Sequence, residues 1–178
     1  MQANKEVLAA LASYIQAEID GHDFYILAAQ HTSDPRGKAM FESLARDEVG
    51  HRQKLEAQYA NLLEKGCWLS AEECQAALAI RKAGKRSPFA GYKSKVKTWI
   101  KKGAGDLDAL KVGIEKEKES YSAYTEAAKK AAHPEGAAMF RELAKEESGH
   151  LRLLENTYSY LADTGSWFLA REKGPVEP

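Results

Sequence analysis

Two cysteines in 178 residues, Cys67 and Cys74, are too few to build a thiolate metal site. Six residues separate them, so they form no Cys-x-x-Cys knuckle and leave no second pair for a zinc or rubredoxin-type centre. They read as ordinary thiols of a reducing compartment, with a disulfide as the alternative in an oxidising one. Net charge is also absent: 26 Lys and Arg offset 26 Asp and Glu. That balance offers nucleic acid or an acidic membrane surface no overall attraction. No apolar run reaches the roughly 20 residues of a membrane span. The opening MQANKEVLAALASY lacks the apolar core and small-residue cleavage site of a secretory leader. These absences set the expectation of a cytoplasmic protein with neither nucleic acid nor membrane as partner. A chain of 178 residues, 44% of them hydrophobic, is long enough for one domain with a sizeable core, and residues 1–178 are read as one.

What the sequence does have is a repeat. Residues 41–51 read FESLARDEVGH and residues 140–150 read FRELAKEESGH, identical at six of eleven positions. The same offset of 99 pairs Glu18 with Glu117, Tyr25 with Tyr124, Pro35 with Pro134, Gly37 with Gly136 and Trp68 with Trp167. A repeat of this length holds one αα-hairpin, so the chain is expected to be all-α, with four long helices. The expected hairpins cover 5–64 and 106–163, with a crossover at 65–105 and a C-terminal tail at 164–178. SDPRG at 33–37 interrupts the helical period: Asp or Ser caps, and Pro35 suits a first helical turn. The third long helix is expected to begin after GAGD, with Asp106, its last residue, as a candidate N-cap. A crossover of about 40 residues is far longer than antiparallel neighbours need, but it suits two parallel hairpins related by a pseudo-twofold axis, whose connection runs from one end of the bundle to the other. Ser70 with Glu73 makes a capping box for a short helix near 71–83. From Gln75 to Gly105 there are nine Lys or Arg and no Asp or Glu, a solvated connector or a docking patch for an acidic redox partner.

Each copy of the repeat ends in Glu-x-x-His: Glu48 with His51, and Glu147 with His150. Three residues turn a helix by about 300°, so each pair shares a face and can grip one ion. That face belongs to the apolar stripe. In one helix it runs Phe41, Leu44, Glu48, His51, Leu55, Tyr59, Leu62; in the other, Phe140, Leu143, Glu147, His150, Leu154, Tyr158, Leu161. Glu18 and Glu117 interrupt the remaining two stripes, each 30 residues before its Glu-x-x-His; on the second of these Tyr121 is read as core. One Glu-x-x-His alone is commonly a solvated surface pair. Four carboxylates and two imidazoles in one core would repel one another and take up protons unless cations neutralise them. Two divalent cations balance four carboxylates, and bridging carboxylates with imidazole suit iron or manganese. The expected ligands are therefore Glu18, Glu48, His51, Glu117, Glu147 and His150. Glu142 and Glu146 are read as surface residues.

With these residues the chain resembles the rubrerythrin-like branch of the ferritin-like superfamily across about residues 5–163. Ferritin-like di-metal bundles take one Glu from each of two helices and Glu-x-x-His from each of the others. The resemblance implies a ferritin-like four-helix bundle holding two iron ions, with manganese or a mixed pair as alternatives. It also implies that Tyr25 and Tyr124, each seven residues after a ligand Glu, hydrogen-bond beside the metals. His22, one turn beyond Glu18, is grouped with them. It reads first as a core histidine with its polar atoms satisfied, then as an extra ligand or proton donor. Two departures matter. No rubredoxin domain with Cys-x-x-Cys pairs is seen, and Ser120 stands where the family carries an additional Glu. Glu119 lies about 200° round from the ligand Glu117 and faces elsewhere. The activity implied is peroxide reduction by a homodimeric di-iron oxidoreductase, with electrons from an external donor such as a rubredoxin-like protein. Iron oxidation by O2 and a non-catalytic metal-binding or redox-sensing module are the alternatives.

Overall fold

The computed structural model describes residues 5–81, 89, 92, 94, 96 and 105–167, and every regular element of any length among them is an α-helix. These are α1 (Lys5–His31), α2 (Pro35–Lys65), α3 (Ala71–Arg81), α4 (Asp106–Lys130) and α5 (Pro134–Thr164). The four long helices form the two expected hairpins, α1–α2 and α4–α5, and α3 is the short crossover helix packed on α2. Most of the basic stretch that follows α3, and the chain beyond Trp167, lie outside the described residues. None of the described helices is long and apolar enough to cross a membrane. Cys67 and Cys74 are free thiols.

The helix ends follow from local chemistry. Asp34 caps α2 by accepting the Arg36 N–H at 2.8 Å, and the Arg36 guanidinium closes back on the same carboxylate at 2.9 Å. Ser70 and Glu73 form both halves of the α3 capping box, at 2.8 and 3.2 Å. Helices α2 and α5 stop at Gly66 and Gly165, with φ of 71° and 68°, left-handed values that glycine adopts without a Cβ penalty. The cap of α4 differs from the expectation. Gly105, in extended conformation, holds that position, and Asp106 is the first helical residue. Asp106 accepts from Thr32 Oγ1 and from Trp167 Nε1, each at 3.0 Å, tying the start of α4 to the α1–α2 turn and to the residue stretch after α5.

α5 runs to Thr164, and Trp167, three residues beyond it, is only 4% exposed. It packs so closely on α2 that a Cβ at Gly37 would stand 2.5 Å from its ring. Its repeat mate, Trp68, packs on Gly136 of α5, where a Cβ would meet the ring at 2.9 Å. Each tryptophan thus leaves one hairpin and locks onto the other. Tyr121, expected in the α4 core stripe, is 42% exposed.

Two apolar clusters fill the bundle. One gathers Phe24, Tyr25, Phe41, Leu44, Leu110, Leu154 and Trp167; the other gathers Leu11, Ile15, Leu55, Tyr124, Phe140 and Leu143. On α2, α4 and α5 the Glu and His positions fall between the segments that feed the two clusters. On α1, Glu18 sits at the boundary. The polar layer is therefore sandwiched by hydrophobic packing on both sides.

Candidate metal centre

Two four-residue groups form around the same pair of carboxylates. Glu18, Glu48, His51 and Glu147 each place one ligand-capable atom within 4.8 Å of the others, and so do Glu48, Glu117, Glu147 and His150. All six sequence-expected residues are thus brought together, with Glu48 and Glu147 shared. His51 Nδ1 lies 3.0 Å from Glu147 Oε1, 3.4 Å from Glu18 Oε2 and 3.6 Å from Glu48 Oε2. His150 Nδ1 lies 3.6 Å from Glu117 Oε2 and 3.7 Å from Glu147 Oε2. The two imidazoles stack at 5.6 Å.

Most of these inward atoms, those of Glu48 excepted, make no hydrogen bonds. Among the described residues seven buried side-chain polar atoms lack such a partner, and six belong to this cluster: Glu18 Oε2, His51 Nδ1, Glu117 Oε2, both Glu147 oxygens and His150 Nδ1. Each buried orphan costs about 1–3 kcal/mol. Six of them converging on one small volume fit divalent cations, which would satisfy lone pairs and charge together. The donor set, oxygen and imidazole without thiolate, fits a di-metal site.

The outward atoms are held. Tyr25 donates its hydroxyl to Glu117 Oε1, and Tyr124 donates to Glu18 Oε1. The tyrosines therefore cross between hairpins, each fixing one oxygen of the opposite carboxylate and leaving Oε2 turned inward. His51 Nε2 meets Glu146 Oε2 at 2.7 Å, and His150 Nε2 meets Asp47 Oδ2 at 3.4 Å. A carboxylate on Nε2 favours the proton there and leaves the Nδ1 lone pair free for a metal. Glu146 is therefore no simple surface residue, which corrects the sequence reading; Glu142, its side chain 52% exposed, remains at the surface. The signal was present, since Asp47 and Glu146 are themselves separated by 99 and each directly precedes the motif glutamate.

Electrostatics bear the marks of crowded carboxylates. Burial pushes the Glu117 carboxyl up to about 8, with Glu147 adding to it. Burial, then the Glu18 charge, raises Glu48 well above the ordinary range. Burial opposes charging of His150, but Glu117 and Glu147 prevail and hold it up at about 10; carboxylates around His51 raise it likewise. Burial would raise Glu147 too, yet contacts with Glu117, His150 and His51 outweigh it and hold that carboxyl low. His51 and then Lys54 lower Glu146 to about 2.

A cavity of about 220 Å³ between α1 and α4 reaches the cluster, with Glu48, Glu117, Tyr25 and Tyr124 in its lining. Gly21 and its repeat mate Ser120 also line it. A Cβ at Gly21 would stand 3.3 Å from Glu48 Cδ, so a small residue here leaves that carboxylate its place. Glu119 is exposed and pairs with Lys116 at 2.5 Å at the rim. His22 does not join either group of four. Its Nδ1 is drawn 2.8 Å to Asp23 Oδ1, a neighbour about 100° round the helix, and its side chain stays 31% exposed. His31 and His133 occupy helix ends at the surface.

Comparison with known proteins bears on the fold and the family. No curated protein matches the sequence significantly. A hypothetical protein from Pyrococcus furiosus shares the fold with a TM-score of 0.63 at 21% identity, covering 88% of this chain and 90% of its own. Wild-type KatB, a manganese catalase from Anabaena, superposes with a TM-score of 0.65 at 17% identity, covering all of this chain and 80% of its own. At such identities the likeness is one of fold, that of the ferritin-like bundle. The Rubrerythrin family model matches residues 9–158, which contain every residue of the two groups of four. The chain belongs to the rubrerythrin family.

Proposed function

We propose that this protein is a di-iron oxidoreductase that reduces hydrogen peroxide to water with electrons from an external donor. The observation that carries the reading is the set of six buried ligand atoms without hydrogen-bond partners, in a cluster that a cavity reaches at Glu48 and Glu117. Glu18, Glu48, His51 and Glu147 would hold one metal, and Glu48, Glu117, Glu147 and His150 the other. Iron held there would supply the two electrons that, with two protons, reduce one hydrogen peroxide to two waters.

The chain's own residues supply position and exclusion. Tyr25 and Tyr124 hold Glu117 and Glu18 by their outer oxygens, so no reorganisation is needed to present the inner ones. Glu146 and Asp47 orient the imidazoles. The apolar clusters on either side keep bulk water out, leaving the α1–α4 cavity as the approach for a small oxidant. The basic crossover is the proposed docking region for the donor.

The test is anaerobic loading with Fe(II), then stoichiometric peroxide, then O2 in a parallel sample. Rapid oxidation by peroxide with slow oxidation by O2 supports the peroxidase. Preference for O2 with uptake beyond two irons per chain would favour iron oxidation instead. The structural likeness to a manganese catalase supplies a third outcome: O2 evolution from peroxide by the manganese-loaded protein without any donor.

A further inference from the structure

The two halves of the site are related by the repeat, yet their supports are not. His51 is only 1% exposed, and Glu146 sits 2.7 Å from its Nε2. Glu146 is itself pinned: Lys54 Nζ reaches Glu146 Oε1 at 2.8 Å and Glu142 Oε1 at 2.8 Å. Advancing 99 residues from Lys54 gives Leu153, and stepping back 99 from Glu142 gives Ser43, so the repeat supplies no such clamp to the other half. There, His150 is 13% exposed, and Asp47, itself 52% exposed, stands 3.4 Å from Nε2. The cavity between α1 and α4 touches Glu117 and the shared Glu48 but neither Glu18 nor His51.

We propose that the two metal positions fill and empty in a fixed order, set by Lys54 as a positioning residue. The Glu18–His51 position binds first and retains its ion; the Glu117–His150 position binds second and exchanges with the solution through the cavity. Ordering of an imidazole before the metal arrives removes part of the cost of binding, and outer partners of ligand histidines are worth about 10–100-fold in affinity. The clamp is built from three charged side chains on α2 and α5, so it is in place before either metal. The inference rests on the di-metal reading, and the two can fail separately.

The experiment is a titration of the full-length apoprotein with Mn(II), followed by calorimetry and by the electron paramagnetic resonance signal of free and bound ion. Two steps separated by about tenfold or more are expected. His51→Ala should remove the tight step and His150→Ala the weak one. Lys54→Met should weaken the tight step about tenfold and leave the weak one, and Lys54→Arg should restore it. A single unresolved step, equal steps, or loss of the tight step in His150→Ala instead of His51→Ala would each overturn the order. A tight step unchanged in Lys54→Met would overturn the role of the clamp. Should Lys54→Met fail to fold, Glu142→Gln loosens the same clamp from the surface and should weaken the tight step in the same direction. Absence of any stoichiometric binding by the wild type would instead overturn the di-metal reading itself.

Discussion

Tyr124 shows how one hydroxyl serves both stability and the site. It is 1% exposed, and its O–H is the donor to Glu18 Oε1, so removing it leaves a buried carboxylate oxygen without its partner. Tyr124→Phe should therefore destabilise the apoprotein by about 1–3 kcal/mol, read as a lower urea midpoint with unchanged slope. The exposed Tyr121 is the control, and Tyr121→Phe should stay within about 0.5 kcal/mol of wild type. Equal, small effects at both positions would mean that the phenol does not hold the carboxylate. The repeat made Tyr25 and Tyr124 conspicuous but could not show that each serves the opposite hairpin, because periodicity reports a residue's own face and not what faces it. For the same reason Glu146 read as a surface residue and His22 as a neighbour of the site. Which carboxylate meets an imidazole depends on how the hairpins dock, and a local stripe carries no such term.

Among elements, the two hairpins are well defined internally and are joined by a small number of specific locks. Packing within α1–α2 and within α4–α5 far exceeds that between α1 and α4, so the inter-hairpin fit must come from particular contacts. The crossed tryptophans are the clearest. A Cβ at Gly37 would lie 2.5 Å from Trp167, and one at Gly136 would lie 2.9 Å from Trp68, so neither fits without movement of an indole. Helix propensity alone would make Gly→Ala favourable in both helices, by about 1 kcal/mol. Overpacking of about 1–3 kcal/mol opposes it. Gly37→Ala is expected to lower the thermal midpoint, and Gly136→Ala to lower it less, because its ring is farther off. A rise in midpoint for Gly37→Ala would show that Trp167 is not wedged. The stops at Gly66 and Gly165 and the caps at Asp34 and Ser70 were legible in sequence, since each uses residues adjacent in the chain. Asp106 was not: a carboxylate before a helix reads as a cap, and only the assembled bundle brings Thr32 and Trp167 to claim it.

At the scale of the whole molecule, the cluster is a liability to the apoprotein that its cations would convert into a gain. Four carboxylates at most a few per cent exposed occupy the centre of a bundle that apolar side chains would otherwise fill. Glu48, whose carboxyl is pushed well above the usual range by burial and by Glu18, makes the clearest test. A carboxyl with a raised folded-state pKa binds more protons folded than unfolded, so its ionisation erodes stability as pH rises above the unfolded value. Wild-type apoprotein should therefore be more stable near pH 5 than near pH 7. The raised imidazoles His51 and His150 push in the same direction, contributing stability below about 6.5 that is lost as pH climbs. Glu48→Gln removes one of the repelled charges while keeping the volume. At pH 7 its apoprotein should exceed the wild type by about 1–4 kcal/mol, and the advantage should shrink toward pH 5. With metal the ranking inverts. An ion held at 100 times its dissociation constant adds about 2.7 kcal/mol to the wild type, and a variant lacking a shared carboxylate should gain much less. Chemical denaturation of both proteins, with chelator and with Mn(II) at two pH values, reads all four terms. A Glu48→Gln apoprotein less stable than wild type at pH 7 would mean the carboxylate is already neutralised within the fold, and that the layer does not depend on cations to balance it.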